Sequence, residues 1–424
     1  MSQIGVDPRR GAVSLLDGVL GENPRLMSEL ILSDQRLQKL RPEDRARAQR
    51  LALETLRGLE RADRLLQKHL KKPPPLTVRN ALRVGTMEIC TGAAAHGVVN
   101  TMVTLVGQNA RARHFKGLVN AVLRKVAAEG PETWDILRPP RLPKWLRAPL
   151  SAAWGPEAIA AMERAHFAGA PLDLTAKSDP EAVAAAVSGT VLPTGTVRVR
   201  EPGQVSAMPG FAQGAWWVQD AAAALPVKIL APKEGEDVLD LCAAPGGKTL
   251  QLAAAGAAVT AVDVSEHRMA RVTENLTRVG LTAKTRVQDA LKITGSFDAV
   301  LLDAPCSATG TLRRHPDLPF AKDGSEFGGL IDLQTALIDH AWTLLRPEGR
   351  LVFCTCSLLP DEGEVQIAHA LQRHRDMVVD HASLTIPGID PAWVTEEGGL
   401  RLRPDYWPDL GGMDGFYMAC LRKS

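Results

Sequence analysis

Phe297-Asp-Ala-Val-Leu-Leu-Asp-Ala-Pro-Cys-Ser-Ala-Thr-Gly310 is an apolar run that breaks into a short reactive tip. Ala299 to Leu302 reads as a strand buried on both faces. Pro305 has no N–H to offer a ladder, so the strand must stop there. The tip then carries a carboxylate, Asp303, and a thiol, Cys306. A second thiol ends a second buried run, Leu351-Val-Phe-Cys-Thr-Cys-Ser357. In an open parallel sheet the C-terminal strand ends border the ligand crevice. Asp303, Cys306 and Cys356 are therefore expected to meet at one site.

The sequence on either side supports such a sheet. From Gly235 onward strand and helix patterns alternate. Val238 to Cys242 is a strand and Lys248 to Ala255 a helix. Val259 to Val262 is a strand ending in Asp263. Glu266 to Val279 is a helix closed by Gly280, an apt residue just past a helix end. Thr285 to Gln288 is a strand ending in Asp289, Ile331 to Leu345 a helix, and Arg350 to Cys354 a strand. This order predicts a doubly wound, Rossmann-like α/β sheet with right-handed crossovers. Its first strand-helix turn is Asp240-Leu-Cys-Ala-Ala-Pro-Gly-Gly-Lys248, where Gly246 and Gly247 let the backbone approach a ligand at a helix N-terminus. The turn has neither the dinucleotide fingerprint nor the P-loop spacing. Asp263 falls where a carboxylate grips ribose hydroxyls, and Asp289 where one can take the amine edge of an adenine. Acids on successive strand tips, without a glycine cradle for pyrophosphate, fit S-adenosylmethionine better than a nicotinamide dinucleotide.

The residue types at the tip narrow the chemistry. Methylation of an exocyclic amine commonly uses an Asp/Asn-Pro-Pro-aromatic loop. Here the loop is Asp303-Ala304-Pro305-Cys306, with a thiol in the aromatic position. Carbon 5 of a pyrimidine is a poor nucleophile. A thiolate added at carbon 6 makes carbon 5 enamine-like and able to attack a sulfonium methyl. One thiol adds and the other assists release; the residues alone leave open which does which. Asp303 suits the ring nitrogen and amine edge of the base. Lys248 suits neutralisation of a nearby carboxylate, or bias of a thiol toward thiolate. Elsewhere a lone cysteine is ordinarily a small buried hydrophobe, which is the reading for Cys90, Cys242, Cys354 and Cys420.

The rest of the 424 residues is organised differently. Two or three domains are expected at this length, and 45% hydrophobic residues supply a sizeable core. No apolar run approaches a membrane span, the N-terminus lacks the apolar segment of a secretory signal, and the cysteines lack zinc spacing. A cytoplasmic protein with free thiols, no metal and no membrane partner is expected, and a monomer. Residues 1–130 hold 22 Lys and Arg against 12 Asp and Glu, a balance of +10, while the remainder holds 28 against 36, a balance of −8. A basic segment joined to an acidic one suggests that the first meets a polyanion. That segment carries helical periodicity throughout, with stripes at Ala12, Leu15, Leu16, Val19 and at Leu51, Leu53, Leu56, Leu59. An all-α bundle is expected over residues 1–133. Residues 134–215, rich in Pro and Gly, read as a small α/β linker subdomain, and residues 216–424 as the catalytic domain. Trp216-Trp217 is expected to bury the seam between the last two.

Several stretches carry a family resemblance. Arg83-Val-Gly-Thr-Met-Glu-Ile89, Gly97-Val-Val-Asn-Thr-Met-Val103 and Lys116-Gly-Leu-Val-Asn-Ala-Val-Leu-Arg-Lys125 resemble the NusB-like RNA-binding domain. Asp240-Leu-Cys-Ala-Ala-Pro-Gly-Gly-Lys-Thr249, Asp303-Ala-Pro-Cys-Ser-Ala-Thr-Gly310, Arg313-Arg-His-Pro-Asp317, Thr355-Cys-Ser357 and Gly412-Met-Asp-Gly-Phe-Tyr417 resemble the RNA cytosine-5 methyltransferases. The combination is similar to the bacterial members that act on small-subunit ribosomal RNA. The resemblance implies that Cys356 is the nucleophile and that Cys306 aids product release, with Asp303 and Lys248 beside them. It implies that Cys242, Ala243, Ala244, Pro245, Gly246, Gly247, Lys248, Asp263, Arg268, Asp289 and Asp303 line the S-adenosylmethionine site. It also implies ribosomal RNA as the partner, contacted by helix-borne Arg and Lys. Arg313, Arg314 and His315 are candidates to hold phosphates flanking the target base, which must lie in a loop or be flipped out. The linker departs from the family pattern at Leu172-Asp-Leu-Thr175. The competing functions are the same chemistry on transfer RNA, or a non-catalytic RNA-binding or antitermination factor.

Overall fold

A computed structural model describes residues 5–424; Met1–Ile4, the first residues of the expected bundle and of the stretch read for a secretory signal, lie outside the described residues. The chain forms two compact units, one comprising the chain up to Gly169 with Leu312–Asp323, the other Ala170–Thr311 with Gly324–Ser424.

The first unit is helical. Val6–Val19, Pro42–Arg57, Leu76–Cys90, Ala95–Gln108 and Lys116–Ile136 each turn one apolar stripe inward. Leu16, Leu51, Leu56, Leu82, Met102 and Leu123 meet in a single core. Complete burial of each such side chain stabilises the bundle by ~1.5–3 kcal/mol. The stripe read from Leu51 to Leu59 crosses a helix break at Gly58. A side chain there would lie 2.7 Å from the Trp134 indole, so only glycine fits, and Leu59 opens the next helix. Part of the basic excess is structural. Arg9 forks onto Glu88 at 2.6 and 2.7 Å, and Arg83 onto Asp63 at 2.7 Å through both nitrogens.

The expected boundary at residue 133 falls inside the helix Lys116–Ile136. Lys144–Ala168 is also helical, kinked at Gly155, and buries Leu146, Leu150, Ile159 and Met162. Residues 134–169 therefore pack with the bundle rather than with the small sheet. Leu312–Asp323 joins them through several hydrogen bonds. Asp317 accepts from the Met27 amide at 2.8 Å, the Arg313 carbonyl accepts from Arg57 at 2.8 Å, and the Pro319 carbonyl accepts from Trp145 at 3.2 Å. This corrects the expectation for Arg313: its side chain is 0% exposed inside the helical unit and cannot hold a phosphate in solvent. Arg314 and His315 are exposed.

The second unit begins with a four-stranded antiparallel sheet, β1 (Leu172–Ala176), β2 (Thr190–Val191), β3 (Val197–Val199) and β4 (Trp216–Val218), in the order β2-β3-β1-β4. The helix Pro180–Val187 covers it. The two tryptophans of β4 point to opposite faces, as strand alternation requires. Trp216 enters the small sheet's core, while Trp217 packs on Leu250, Met269, Val272 and Leu276. They bury the seam, as expected.

The main sheet contains β5 (Asp237–Leu241), β6 (Ala258–Asp263), β7 (Lys284–Val287), β8 (Phe297–Asp303), β9 (Leu345–Thr355), β10 (Met377–Val379), β11 (Leu400–Leu402) and β12 (Phe416–Lys423). Its order is β10-β12-β9-β8-β5-β6-β7, with β11 paired to β12. Strands β5 to β9 are parallel; β10, β11 and β12 add an antiparallel edge. Leu239, Leu241, Val300, Leu302, Leu351 and Phe353 pack on one face, and Val238, Ala299, Leu301, Val352 and Cys354 on the other. Both faces are thus dry, which explains why these strands read as unbroken apolar runs. The chain leaves β5 toward β6 and β7, then returns to β8 and β9 on the other side. That reversal opens a crevice at the C-terminal strand ends. Among the described residues no helix is long and apolar enough to cross a membrane.

Candidate active site

The turn after β5 is shaped by backbone constraints. Cys242 adopts a left-handed φ of 61°. The Ala243 amide donates to the Val262 carbonyl at 3.0 Å, and the Ala244 amide to Asp263 Oδ2 at 3.1 Å. Gly246 has φ 104°, and a side chain there would sit 3.1 Å from Val272, so the helix Gly247–Ala254 starts hard against its neighbour. Arg268 donates to the Ala244 carbonyl at 2.5 Å and lies 3.7 Å from Asp263. Asp263 is 3% exposed, and its other oxygen accepts from the Ser265 amide at 3.0 Å. Asp289 stands half-buried at the next strand end, accepting from the Leu291 amide at 3.0 Å. The Gln288 amide donates to the Asp263 carbonyl at 3.1 Å, which keeps these two strand ends together.

Asp240 is fully buried beneath this turn. Its Oδ2 accepts from Thr249 Oγ1 at 2.6 Å, while Oδ1 has no hydrogen-bond partner among the described residues. Burial pushes its carboxyl up to about 7, with the Asp303 charge acting the same way. Lys248, also buried, donates to Asp303 Oδ2 at 2.7 Å and lies 5.1 Å from the Phe416 ring. Burial alone would lower the Lys248 ammonium, but the Asp303 charge and hydrogen bond outweigh it and hold it charged. Asp303 bonds Lys248 and Asp263 lies 3.7 Å from Arg268, while burial holds Asp240 toward its neutral form. The acids at these strand ends fit a nucleoside that carries a sulfonium.

At the reacting end the two sulfurs converge. Cys306 Sγ lies 3.5 Å from Cys356 Sγ. Each tip is held by neighbours that the sequence did not single out. Glu362 accepts from the Ser307 amide at 2.9 Å and from Gln334 at 3.0 Å, and Gln334 also donates to the Pro305 carbonyl at 2.9 Å. Ser307, Thr309 and Ser357 hydroxyls lie 3.2 Å apart in a buried cluster. Gly310 donates to the Cys356 carbonyl at 2.9 Å and accepts from Gly415 at 2.8 Å. Cys354, read as a small hydrophobe, is buried but also donates to Asp303 Oδ1 at 3.5 Å, so the Asp303 carboxylate sits between a lysine and a thiol. An acidic residue shortly after the reactive Thr355-Cys-Ser357 was the available signal for Glu362; its burial was not readable. Of the expected cluster, Lys248, Asp303, Cys306 and Cys356 come together, with Cys242, Asp263 and Arg268 at the adjoining turn. No group of three or more His, Cys, Asp or Glu that could hold a metal occurs among the described residues.

The comparisons with known proteins place the chain in a family. Residues 227–422 match the model of the family "16S rRNA methyltransferase RsmB/F", and residues 7–128 match the NusB family. The chain is 35% identical over 411 residues to ribosomal RNA small subunit methyltransferase B of Erwinia tasmaniensis, covering 90% of this chain and 91% of that protein. It is 34% identical over 454 residues to the protein of the same name from Pseudomonas syringae pv. tomato, covering 99% and 97%. A solved structure of a methyltransferase homologue from Pyrococcus horikoshii, 28% identical, superposes with a TM-score of 0.57 over 66% of this chain and 95% of that one. By a family match on the catalytic unit and by similarity over nearly its full length, the chain belongs to the 16S rRNA methyltransferase RsmB/F family, with S-adenosylmethionine as the methyl donor.

Proposed function

We propose that this protein methylates carbon 5 of a cytosine in small-subunit ribosomal RNA through a covalent adduct. The observation that carries the reading is the 3.5 Å approach of Cys306 and Cys356, on the strand tips that also carry Asp303 and its partner Cys354. Two sulfurs in mutual contact can both address the carbon 5–carbon 6 edge of a single pyrimidine. S-adenosylmethionine supplies an electrophilic methyl when bound against the β5 turn, where Asp263, Asp289, Arg268 and the Cys242-to-Lys248 segment are placed to hold it. Cys356 adds to carbon 6, forming the carbon–sulfur bond and shifting the ring electrons toward the nitrogen edge that Asp303 faces. Carbon 5 takes the methyl as the sulfonium–methyl bond breaks. Water takes the carbon 5 proton, the electron pair left behind re-forms the carbon 5–carbon 6 double bond, and the carbon 6–sulfur bond breaks to return Cys356 as a thiolate, with Cys306 assisting this release. The exposed basic residues of the helical unit, Lys71, Lys72, Arg111, Arg113, Arg124 and Lys125, suit the phosphate backbone of the RNA. The relatives named for small-subunit ribosomal RNA support that substrate.

The test is transfer of a labelled methyl group to unmodified small-subunit ribosomal RNA, followed by digestion to nucleosides. Label in 5-methylcytidine supports the proposal. Label in another nucleoside overturns the carbon 5 chemistry, and label acquired only by transfer RNA overturns the substrate.

A further inference from the structure

Every residue adjacent in sequence to either reactive thiol is tied to one network centred on Glu362. Glu362 is 0% exposed. Its Oε1 accepts from the Ser307 amide at 2.9 Å and from Gln334 Nε2 at 3.0 Å, and its Oε2 accepts from the Ser307 hydroxyl. Gln334 also reaches the Pro305 carbonyl. On the other strand, the Glu362 backbone carbonyl accepts from Thr355 Oγ1 at 2.8 Å, and Ser357 Oγ lies 3.2 Å from Ser307 Oγ. Pro305 and Ser307 flank Cys306; Thr355 and Ser357 flank Cys356. These carboxylate partners are neutral donors, so the negative charge of Glu362 is hydrogen-bonded but not cancelled by them.

The charged groups around the thiol pair are unevenly placed. Glu362 acts on Cys306, whereas Lys248, itself engaged with Asp303, acts on Cys354 and Cys356. Two acids in contact cannot both ionise freely, so the pair holds one proton more tightly than either thiol alone would. We infer that Glu362 is a positioning residue for this pair: it anchors both strand tips, with its carboxylate bonded on the Cys306 side at Ser307 and only its backbone carbonyl on the Cys356 side at Thr355, so that its charge disfavours ionisation of Cys306 and leaves Cys356 as the sulfur that adds. The direction agrees with the other forces on Cys306. Its hydrogen bond to Cys356, its burial, and the charges of Cys356 and Glu362 all push the Cys306 thiol well above its ordinary range. The assignment of addition to Cys356 rests on the proposed carbon 5 chemistry, while the placement of the proton does not.

Glu362→Gln separates charge from anchoring. The amide oxygen can still accept from the Ser307 amide and Gln334, and its NH2 can donate to the Ser307 hydroxyl. In the full-length protein without RNA, the pH dependence of iodoacetamide alkylation is followed at Cys306 and Cys356 by peptide mass spectrometry. The Cys306 midpoint is expected to shift to lower pH in Glu362→Gln than in the wild type. An unchanged midpoint overturns the electrostatic role. Glu362→Ala removes the anchor, and diamide-driven closure of a Cys306–Cys356 disulfide should slow by about tenfold or more, because the tips separate. Closure at the wild-type rate overturns the anchoring role. S-adenosylhomocysteine binding is expected to stay within about twofold in both variants, since the β5 turn is not part of the network. Both thiol readouts are independent of RNA, so they stand or fall separately from the carbon 5 assignment.

Discussion

Replacing Asp240 with Asn should change how the stability of the main sheet responds to pH. Asp240 is fully buried, one of its oxygens has no partner among the described residues, and its carboxyl is pushed up to about 7 from an ordinary 3.8. The folded state therefore holds a proton that the unfolded chain gives up near pH 4. A group whose folded value is raised lends stability that is fully present below its unfolded value and lost as pH rises through its folded value. Integrating between those two values, Asp240 should remove about 2 kcal/mol of stability as pH goes from 5.5 to 8.5, as an order-of-magnitude figure. Asn cannot ionise and shows no such loss. The measurement is hydrogen exchange at the β5 amides, Asp237 to Leu241, in the ligand-free wild type and in Asp240→Asn at each pH. Comparing the two proteins at one pH cancels the intrinsic pH dependence of exchange. The wild type should lose protection relative to the variant as pH rises. A difference that is constant across the range, or that grows in the opposite direction, refutes the claim that Asp240 is neutral in the folded protein.

Four further outcomes are expected. Cys356→Ala should bind S-adenosylhomocysteine normally by calorimetry yet show no methyl transfer; residual turnover near wild type removes it as the nucleophile. Cys306→Ala should accumulate a protein–RNA adduct on a denaturing gel with labelled RNA, and absence of the slow band counts against a role in release. Gly310→Ala would place a methyl carbon 1.9 Å from the Gly415 carbonyl oxygen, forcing two backbones apart where Gly310 also bonds the Cys356 carbonyl. A decrease of roughly 1–3 kcal/mol in denaturant unfolding and a collapse of activity should follow, and a fully active variant would show that this close approach does not hold the thiol loop. Reversing Arg111, Arg113 and Arg124 to Glu should weaken RNA binding and lower its salt slope by about one for each phosphate no longer neutralised; an unchanged slope places the RNA on another face.

The parallel strands were legible because each is buried on both faces and so reads as an unbroken apolar run. Their tips were legible because Asp263, Asp303 and Cys306 interrupt those runs sharply. The position of Asp317 shows the opposite case. Nothing local in Arg313-Arg-His-Pro-Asp317 signals that Asp317 caps the helix at Met27, far away in the chain, or that Arg313 is buried with the bundle. The helical unit therefore runs past the expected boundary to Gly169 and reclaims a segment from within the catalytic sequence. The antiparallel edge was missed for a related reason: β10, β11 and β12 are defined by partners rather than by pattern.

From composition, periodicity and motif alone came the helical and α/β division, the order of the five parallel strands along the chain, and the pairing of two thiols with strand-tip acids. These depend on local chemistry, on which side chains leave water and where the backbone must turn. Only the folded chain decided that Cys306 and Cys356 lie 3.5 Å apart, that Cys354 and Lys248 share Asp303, and that Glu362 binds both tips. Such contacts join residues tens of positions apart, and their energy depends on burial that no single segment possesses before the sheet has closed around it.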